Sequence, residues 1–214
     1  FDENVINDGN ADISIGTGAG GGNVVITGTT TLNNTAGTND LTITAGTGSV
    51  TLTGLVAIND NDLTVASSDV ITVTGGIGGS TGNLAFTSST RTDVDGAIAL
   101  SGAGTITMDD ATISGVDVTT AGGTITFDEN VINDGNADIS IGTGVGAGNV
   151  VITGTTTLND TAGTNDLTIT AGTGSVTLTG AVAINDNDLT VASSDVITVT
   201  GGIGGSTGNL AFTS

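Results

Sequence analysis

The most chemically varied stretch of this chain is Arg91-Thr92-Asp93-Val94-Asp95-Gly96, which contains the only basic residue among 214. Paired carboxylates near a base, with a bound divalent cation, are one way in which proteins cleave polysaccharides. In that interpretation Asp93 and Asp95 are metal ligands and Arg91 is the base. The alternative is an ion pair that caps a corner of the fold.

The rest of the composition disfavours an enzyme. Nucleophilic catalysis usually needs His, Lys or Cys beside the nucleophile, and the chain has none of them. It also lacks Trp and Tyr, on which sugar-binding grooves usually stack their ligands. We therefore expect no catalytic residues, and a carbohydrate-active enzyme is a remote alternative.

A second candidate site is the oxygen-rich run Asn59-Asp60-Asn61-Asp62, which recurs as Asn185-Asp186-Asn187-Asp188. Carboxylate and amide oxygens are ligands that Ca²⁺ prefers, although the bidentate Glu of an EF-hand is missing here. The other interpretation is that these residues are solvated turns. We expect no required cofactor, with Ca²⁺ as a candidate ligand of Asp60, Asp62, Asp93, Asp95, Asp186 and Asp188.

The charge of the chain limits its partners. Asp and Glu total 22 against a single Arg, for a formal net charge of −21. Such a surface repels nucleic acid phosphates and anionic membranes. No run of 18 apolar residues predicts insertion into a membrane. We expect neither nucleic acid nor membrane insertion among its interactions.

The chain is dominated by an internal repeat of 126 residues. Residues 1–88 recur as 127–214, with 84 of 88 positions identical. The substitutions are Ala19/Val145, Gly21/Ala147, Asn34/Asp160 and Leu55/Ala181. This predicts a complete repeat unit over 1–126 and a partial second copy over 127–214, continuous with the first.

Shorter phrases recur inside the unit. The phrase at 23–33 matches 49–59, the phrase at 39–44 matches 61–66, and the phrase at 104–110 matches 123–129, with offsets of 26, 22 and 19. Each phrase alternates apolar and polar residues and ends in Gly, Asn or Asp, which is typical of short half-buried strands. The pattern predicts an all-β parallel β-helix (β-solenoid) of about 21 residues per coil, without helices. A hairpin sandwich would share some of these features.

Two numbers of coils per repeat are compatible with the sequence. Division into coils of 21 residues gives six, whereas the predicted strand anchors Val24, Val50, Ile71, Ile98 and Ile125 allow five.

Outward-facing threonine pairs suggest another function. Flat Thr arrays bind ice in some solenoids, but Thr is also a good strand residue. Because the pairs are unevenly spaced, a single regular lattice is disfavoured. An ice- or cation-binding surface is therefore the alternative function and not the main one. The pairs are Thr42/Thr44, Thr51/Thr53, Thr72/Thr74, Thr105/Thr107 and Thr124/Thr126.

Two phrases carry a family resemblance. Val50-Thr51-Leu52-Thr53-Gly54, followed by Ile58-Asn59-Asp60-Asn61-Asp62-Leu63-Thr64-Val65, resembles the repeats of giant bacterial β-solenoid exoproteins, such as filamentous-haemagglutinin-like adhesins and autotransporter passengers. The resemblance implies display outside the cell or on its surface, length, and adhesion to a host, cell or matrix surface. We expect a stiff acidic rod in a fibre or adhesin stalk. Its partners would be other copies, joined by end-to-end stacking or covalent continuation.

Overall fold

The computed structural model describes residues 1–33, 39–159, 164–205 and 207–214. These residues form a parallel β-solenoid of about nine coils of roughly 22 residues. Strands and turns account for the regular structure of the described part, which contains no helix. The predicted fold class is therefore confirmed. None of the described residues lies in a helix long and apolar enough to span a membrane.

The described residues contain 28 short strands. In chain order they are β1 Val5–Asn7, β2 Ile13–Gly16, β3 Val24–Ile26, β4 Thr30–Leu32, β5 Leu41–Thr44, β6 Val50–Leu52, β7 Val56–Asn59, β8 Leu63–Ser67, β9 Val70–Val73, β10 Ile77–Gly79, β11 Leu84–Ser88, β12 Arg91–Val94, β13 Ile98–Leu100, β14 Ile106–Met108, β15 Ala111–Ile113, β16 Val118–Thr120, β17 Ile125–Phe127, β18 Val131–Asn133, β19 Ile139–Gly142, β20 Val150–Ile152, β21 Thr156–Leu158, β22 Leu167–Thr170, β23 Val176–Leu178, β24 Val182–Asn185, β25 Leu189–Ala192, β26 Ile197–Val199, β27 Ile203–Gly205 and β28 Leu210–Thr213.

Three parallel sheets form the sides of the solenoid. Every third strand belongs to the same sheet: sheet A runs from β1 to β28, sheet B from β2 to β26, and sheet C from β3 to β27. One coil therefore contributes one strand to each sheet. Strand β17 lies across the boundary between the two sequence copies and pairs with β14 below and β20 above.

The core is narrow and filled by inward-facing aliphatic residues. In β5, Leu41 and Ile43 are buried while Thr42 and Thr44 are exposed, as the alternation in the sequence predicts. The largest buried side chains are Phe86 and Phe127, each at most 1% exposed. Parallel stacking places each inward side chain against its counterparts in the coils before and after it.

The phrase offsets correspond to stacked neighbours. Val24 pairs with Val50, which is its match in the first pair of phrases, and Leu41 pairs with Leu63, its match in the second. Ile106 pairs in the same way with Ile125, its match in the third. The offsets therefore predicted strand register as well as fold class.

The proposed series of strand anchors was wrong beyond Ile71. The residue stacked on Ile71 is Thr92, whereas Ile98 lies in sheet A and Ile125 in sheet B. The error arose because apolar strand starts look alike on all three sides. In the described structure, β18 of the second copy corresponds to β1 of the first, so one 126-residue unit contains 17 strands, or five and two-thirds coils.

Candidate functional site

The run Asn59-Asp60-Asn61-Asp62 forms the corner between β7 of sheet A and β8 of sheet B. Asn59 has a φ of 53°, a left-handed conformation that Asn adopts more readily than most residues. Asn61 is fully buried, and its Nδ2 donates to the carbonyls of Ile58 (3.1 Å) and Leu32 (3.2 Å). The corner therefore turns Asn61 inward and leaves Asp60 and Asp62 half-buried on either side of it.

Asp60 links its corner to the next coil through hydrogen bonds. Its Oδ1 accepts hydrogen bonds from Ser80 Oγ and from Thr81 Oγ1 (2.9 Å) and N (3.3 Å). The bond from Ser80, followed by that from the Thr81 side chain, lowers the pKa of Asp60, because both stabilise the ionised form. The carboxylate is thus already a hydrogen-bond acceptor within the protein.

Asp62 belongs to a column of acceptors, which we call the Asx ladder and define as Asp12, Asp40, Asp62 and Asn83. Each member accepts the backbone N–H of the residue stacked on it: Asp40 N to Asp12 Oδ1 (3.1 Å), Asp62 N to Asp40 Oδ1 (2.8 Å), and Asn83 N to Asp62 Oδ1 (2.8 Å). Asn83 continues the pattern by accepting from Thr105 N at 2.9 Å. The ladder satisfies backbone N–H groups of residues that lie at the corner, just outside the strands.

The second copy reproduces the contacts made by Thr81 and Asn83 at a different corner, between β24 of sheet C and β25 of sheet A. Thr207 Oγ1 donates to Asp186 Oδ1 at 2.9 Å. Asn209 donates to Asp188 Oδ1 from its backbone N (2.8 Å) and its Nδ2 (2.9 Å). The backbone bond first, and then the side-chain bond, lowers the pKa of Asp188.

Arg91 and Asp93 lie on the outer side of β12, in sheet C. Arg91 Nε donates to Asp93 Oδ1 at 2.6 Å, and the side chains are 52% and 19% exposed. The hydrogen bond from Arg91 to Asp93, with the attraction of that carboxylate, raises the pKa of Arg91. The two side chains meet because residues two apart in a strand point to the same side, and Arg91 is the first residue of β12 after the bend at 89–90.

A shallow groove of about 470 Å³ lies beside this pair on the surface of sheet C. Arg91, Asp93 and Asp95 line it together with Asp134 and Asn159 from later coils. Of the residues proposed as metal ligands, Asp93 and Asp95 thus share one groove, while Asp60 and Asp62 lie at a corner of their own. Within the described ranges, no three His, Cys, Asp or Glu residues are grouped as a metal site would require. Calcium binding at these residues remains a prediction.

One acidic cluster was missed in the sequence. Asp109 and Asp110 follow β14, Asp128 and Glu129 follow β17, and β14 and β17 are stacked neighbours. The hydrogen bond between Glu129 and Asp110, and then their repulsion, raises the pKa of Glu129. Burial raises the pKa of Asp109, with a contribution from the charges of Asp128 and Asp110. The matching phrases at 104–110 and 123–129 could have indicated this cluster, because stacking one phrase on the other places acidic residues next to acidic residues.

The threonine pairs do not form one array. Thr42, Thr107 and Thr126 lie on sheet B, whereas Thr51 and Thr72 lie on sheet C. Thr42, Thr64, Thr107 and Thr126 lie in one column of sheet B, but Ala85 interrupts this column between Thr64 and Thr107, and Val151 follows Thr126. Ice binding therefore stays an alternative prediction, without a continuous threonine array to support it.

The chain was compared with protein-family models, with curated proteins and with solved structures, and none of the three comparisons gave a match. The fold thus rests on the structure itself, and the functional interpretation rests on the geometry described above.

Proposed function

We propose that this chain is a structural rod segment of a large extracellular or cell-surface fibre or adhesin stalk, and that it has no catalytic activity. The observation that carries the proposal is that the coils stack without interruption from one sequence copy into the next, since β17 spans the boundary and pairs with β14 below and β20 above. A phrase that occurs twice, at residues 84–88 and 210–214, shows what a covering coil does to the side chains beneath it.

In the first copy the phrase belongs to the core. Leu84 and Phe86 are each 1% exposed, because Ile106 and Met108 of β14 stack on them. In the second copy the same side chains, Leu210 and Phe212, are 45% and 43% exposed. The surface formed by Leu210 and Phe212 is therefore complementary to a further coil of the same repeat, whose addition would bury apolar area.

Such a coil can come from covalent continuation of the chain or from a second copy stacked end to end. Stacking of this kind is heterologous and does not close into a ring, so it generates a filament. The net charge of −21 opposes association of rods side by side while leaving the apolar end surface free to pack.

The proposed location is outside the cell. A single Arg and no Lys leave one site for proteases that cleave after basic residues, which suits exposure. The resemblance to bacterial exoproteins supports display on a surface, with a host, cell or matrix surface as the target of adhesion. The rod requires no cofactor, since hydrogen bonds from the next coil already hold the corner carboxylates. Any Ca²⁺ would be an additional ion bound by carboxylate oxygens.

Addition of one further stretch of repeat tests the proposal. A second version of residues 89–126 would be appended after Ser214, and backbone hydrogen exchange would be followed by mass spectrometry. We expect exchange at 210–213 to slow to the rate of 84–87, because the appended equivalents of Ile106 and Met108 would cover Leu210 and Phe212.

The matched control is the same extension with those two equivalents replaced by Asp. This control should leave 210–213 in fast exchange, since buried carboxylates cannot pack on Leu210 and Phe212. If the unaltered extension also left 210–213 in fast exchange, coils would not add to this end and the proposal would fail.

A further inference from the structure

Matching strands of the two copies lie on different sheets. Strand β5 is in sheet B and its counterpart β22 is in sheet A, while β1 in sheet A corresponds to β18 in sheet C. The move does not disturb the core: Leu41 and Ile43 are 1% and 0% exposed, and Leu167 and Ile169 are both 0% exposed. The phrases therefore pack equally well on more than one side of the solenoid.

Coil length explains the change of sheet. To remain in sheet A, Val131 would have to stack on Val118 or on Ile98. The stretch from Val118 to Val131 is much shorter than the tightest described coil, such as the one from Ile106 to Ile125, so it cannot pass around three sides. Stacking on Ile98 would exclude β16, which pairs with β13 in sheet A. Val131 instead pairs with Ala111 in sheet C.

We infer that, in each further copy of the repeat, every strand lies one sheet further around the solenoid than its equivalent in the copy before. A longer array would therefore present every outward feature on all three sides in succession. The inference rests on the proposed role as a repeat array. At about 4.8 Å per coil, one repeat advances the rod by about 27 Å, and a feature returns to the same sheet after three repeats, or about 82 Å.

This arrangement determines which partners the rod fits. On any one side each feature recurs only once in three repeats, at intervals of about 82 Å, so the array is poorly suited to a flat lattice such as ice. A feature such as the Arg91 groove would instead recur around the rod. The surface fits a set of identical partner molecules distributed around it, each meeting the same residues from a different side.

Disulfide cross-linking in the 214-residue chain tests the inference, because the chain has no native Cys. Outward residues stacked in parallel strands are about 4.8 Å apart, within the Cα separation that a disulfide spans. Thr112 and Ile132 are stacked partners in sheet C, whereas Thr119 lies in sheet A. We expect the Thr112→Cys/Ile132→Cys variant to oxidise almost completely and the Thr119→Cys/Ile132→Cys variant to remain reduced.

A pair within the first copy serves as the positive control. Thr51 and Thr72 are stacked partners in sheet C, so Thr51→Cys/Thr72→Cys should also form a disulfide. Cross-linking of positions 119 and 132 in place of 112 and 132 would overturn the inferred turn while leaving the rod intact. Failure of both junction pairs beside a working control would overturn it as well. Failure of the control pair would contradict the solenoid, and with it the proposed function.

Discussion

Replacing Phe86 with alanine is expected to lower the free energy of unfolding by about 3–5 kcal/mol, because removal of a buried aromatic ring leaves a cavity that its neighbours do not fill. Phe86 is 1% exposed and lies between Val65 of the coil below and Met108 of the coil above. The narrow core offers no second layer of side chains that could collapse into the space. Denaturant unfolding monitored by circular dichroism measures the loss.

The repeat supplies the matched control for this substitution. Phe212 occupies the same place in the same phrase but is 43% exposed, so Phe212→Ala should cost only a fraction of the Phe86→Ala effect. A second pair gives the same comparison at the other end, with Phe127 at 0% and Phe1 at 62% exposure. Equal losses at positions 86 and 212 would show that the covered and uncovered phrases do not differ as described.

The second large effect is expected at the glycine column of one corner, which consists of Gly28, Gly54, Gly75 and Gly96. A Cβ on Gly75 would overlap the carbonyl group of Gly54 and would lie 2.7 Å from the carbonyl oxygen of Thr53. Since these atoms belong to the backbone of the coil below, Gly75→Ala forces two coils apart. We expect a loss of about 3 kcal/mol in unfolding free energy, at the upper end of typical overpacking costs.

Gly20→Ala is the control for the glycine substitution, since a Cβ at Gly20 would meet nothing within 4 Å. Its effect should stay within about 0.5 kcal/mol of zero, as for other substitutions away from packed contacts. Thermal and denaturant unfolding of both variants provide the comparison. If Gly75→Ala proved as harmless as Gly20→Ala, the coils would not approach each other as closely as the column requires.

The fold could be predicted from the sequence because parallel stacking pairs each phrase with its own near-copy. Matching phrases at 24–26 and 50–52, and at 41–44 and 63–66, are stacked strands in the structure. The coil count could not be predicted, because Ile71 and Ile98 look equivalent in sequence but lie in different sheets. Alternation distinguishes inside from outside, and it carries no information about which of three sides a strand occupies.

For the candidate sites, the sequence predicted which residue types lie together along the chain but not which residues of the next coil contact them. The sequence showed that Asp60 and Asp62 belong to an oxygen-rich turn, but their hydrogen-bond donors, Ser80 and Asn83, come from the following coil. Once the coil offsets are known, these partners follow directly. The stacking of Asp110 and Glu129 follows in the same way from the offset of 19 residues between their two phrases.

The most direct test of the rod is the length of arrays that contain one, two and three complete 126-residue units, measured by small-angle X-ray scattering and electron microscopy. In the described residues, the one complete unit contributes 17 strands to the three sheets. The maximum dimension should therefore grow by about 27 Å per added unit while the width stays constant. Particles that instead widened in all directions as units were added, as compact globular chains do, would contradict the central claim that the repeat builds length.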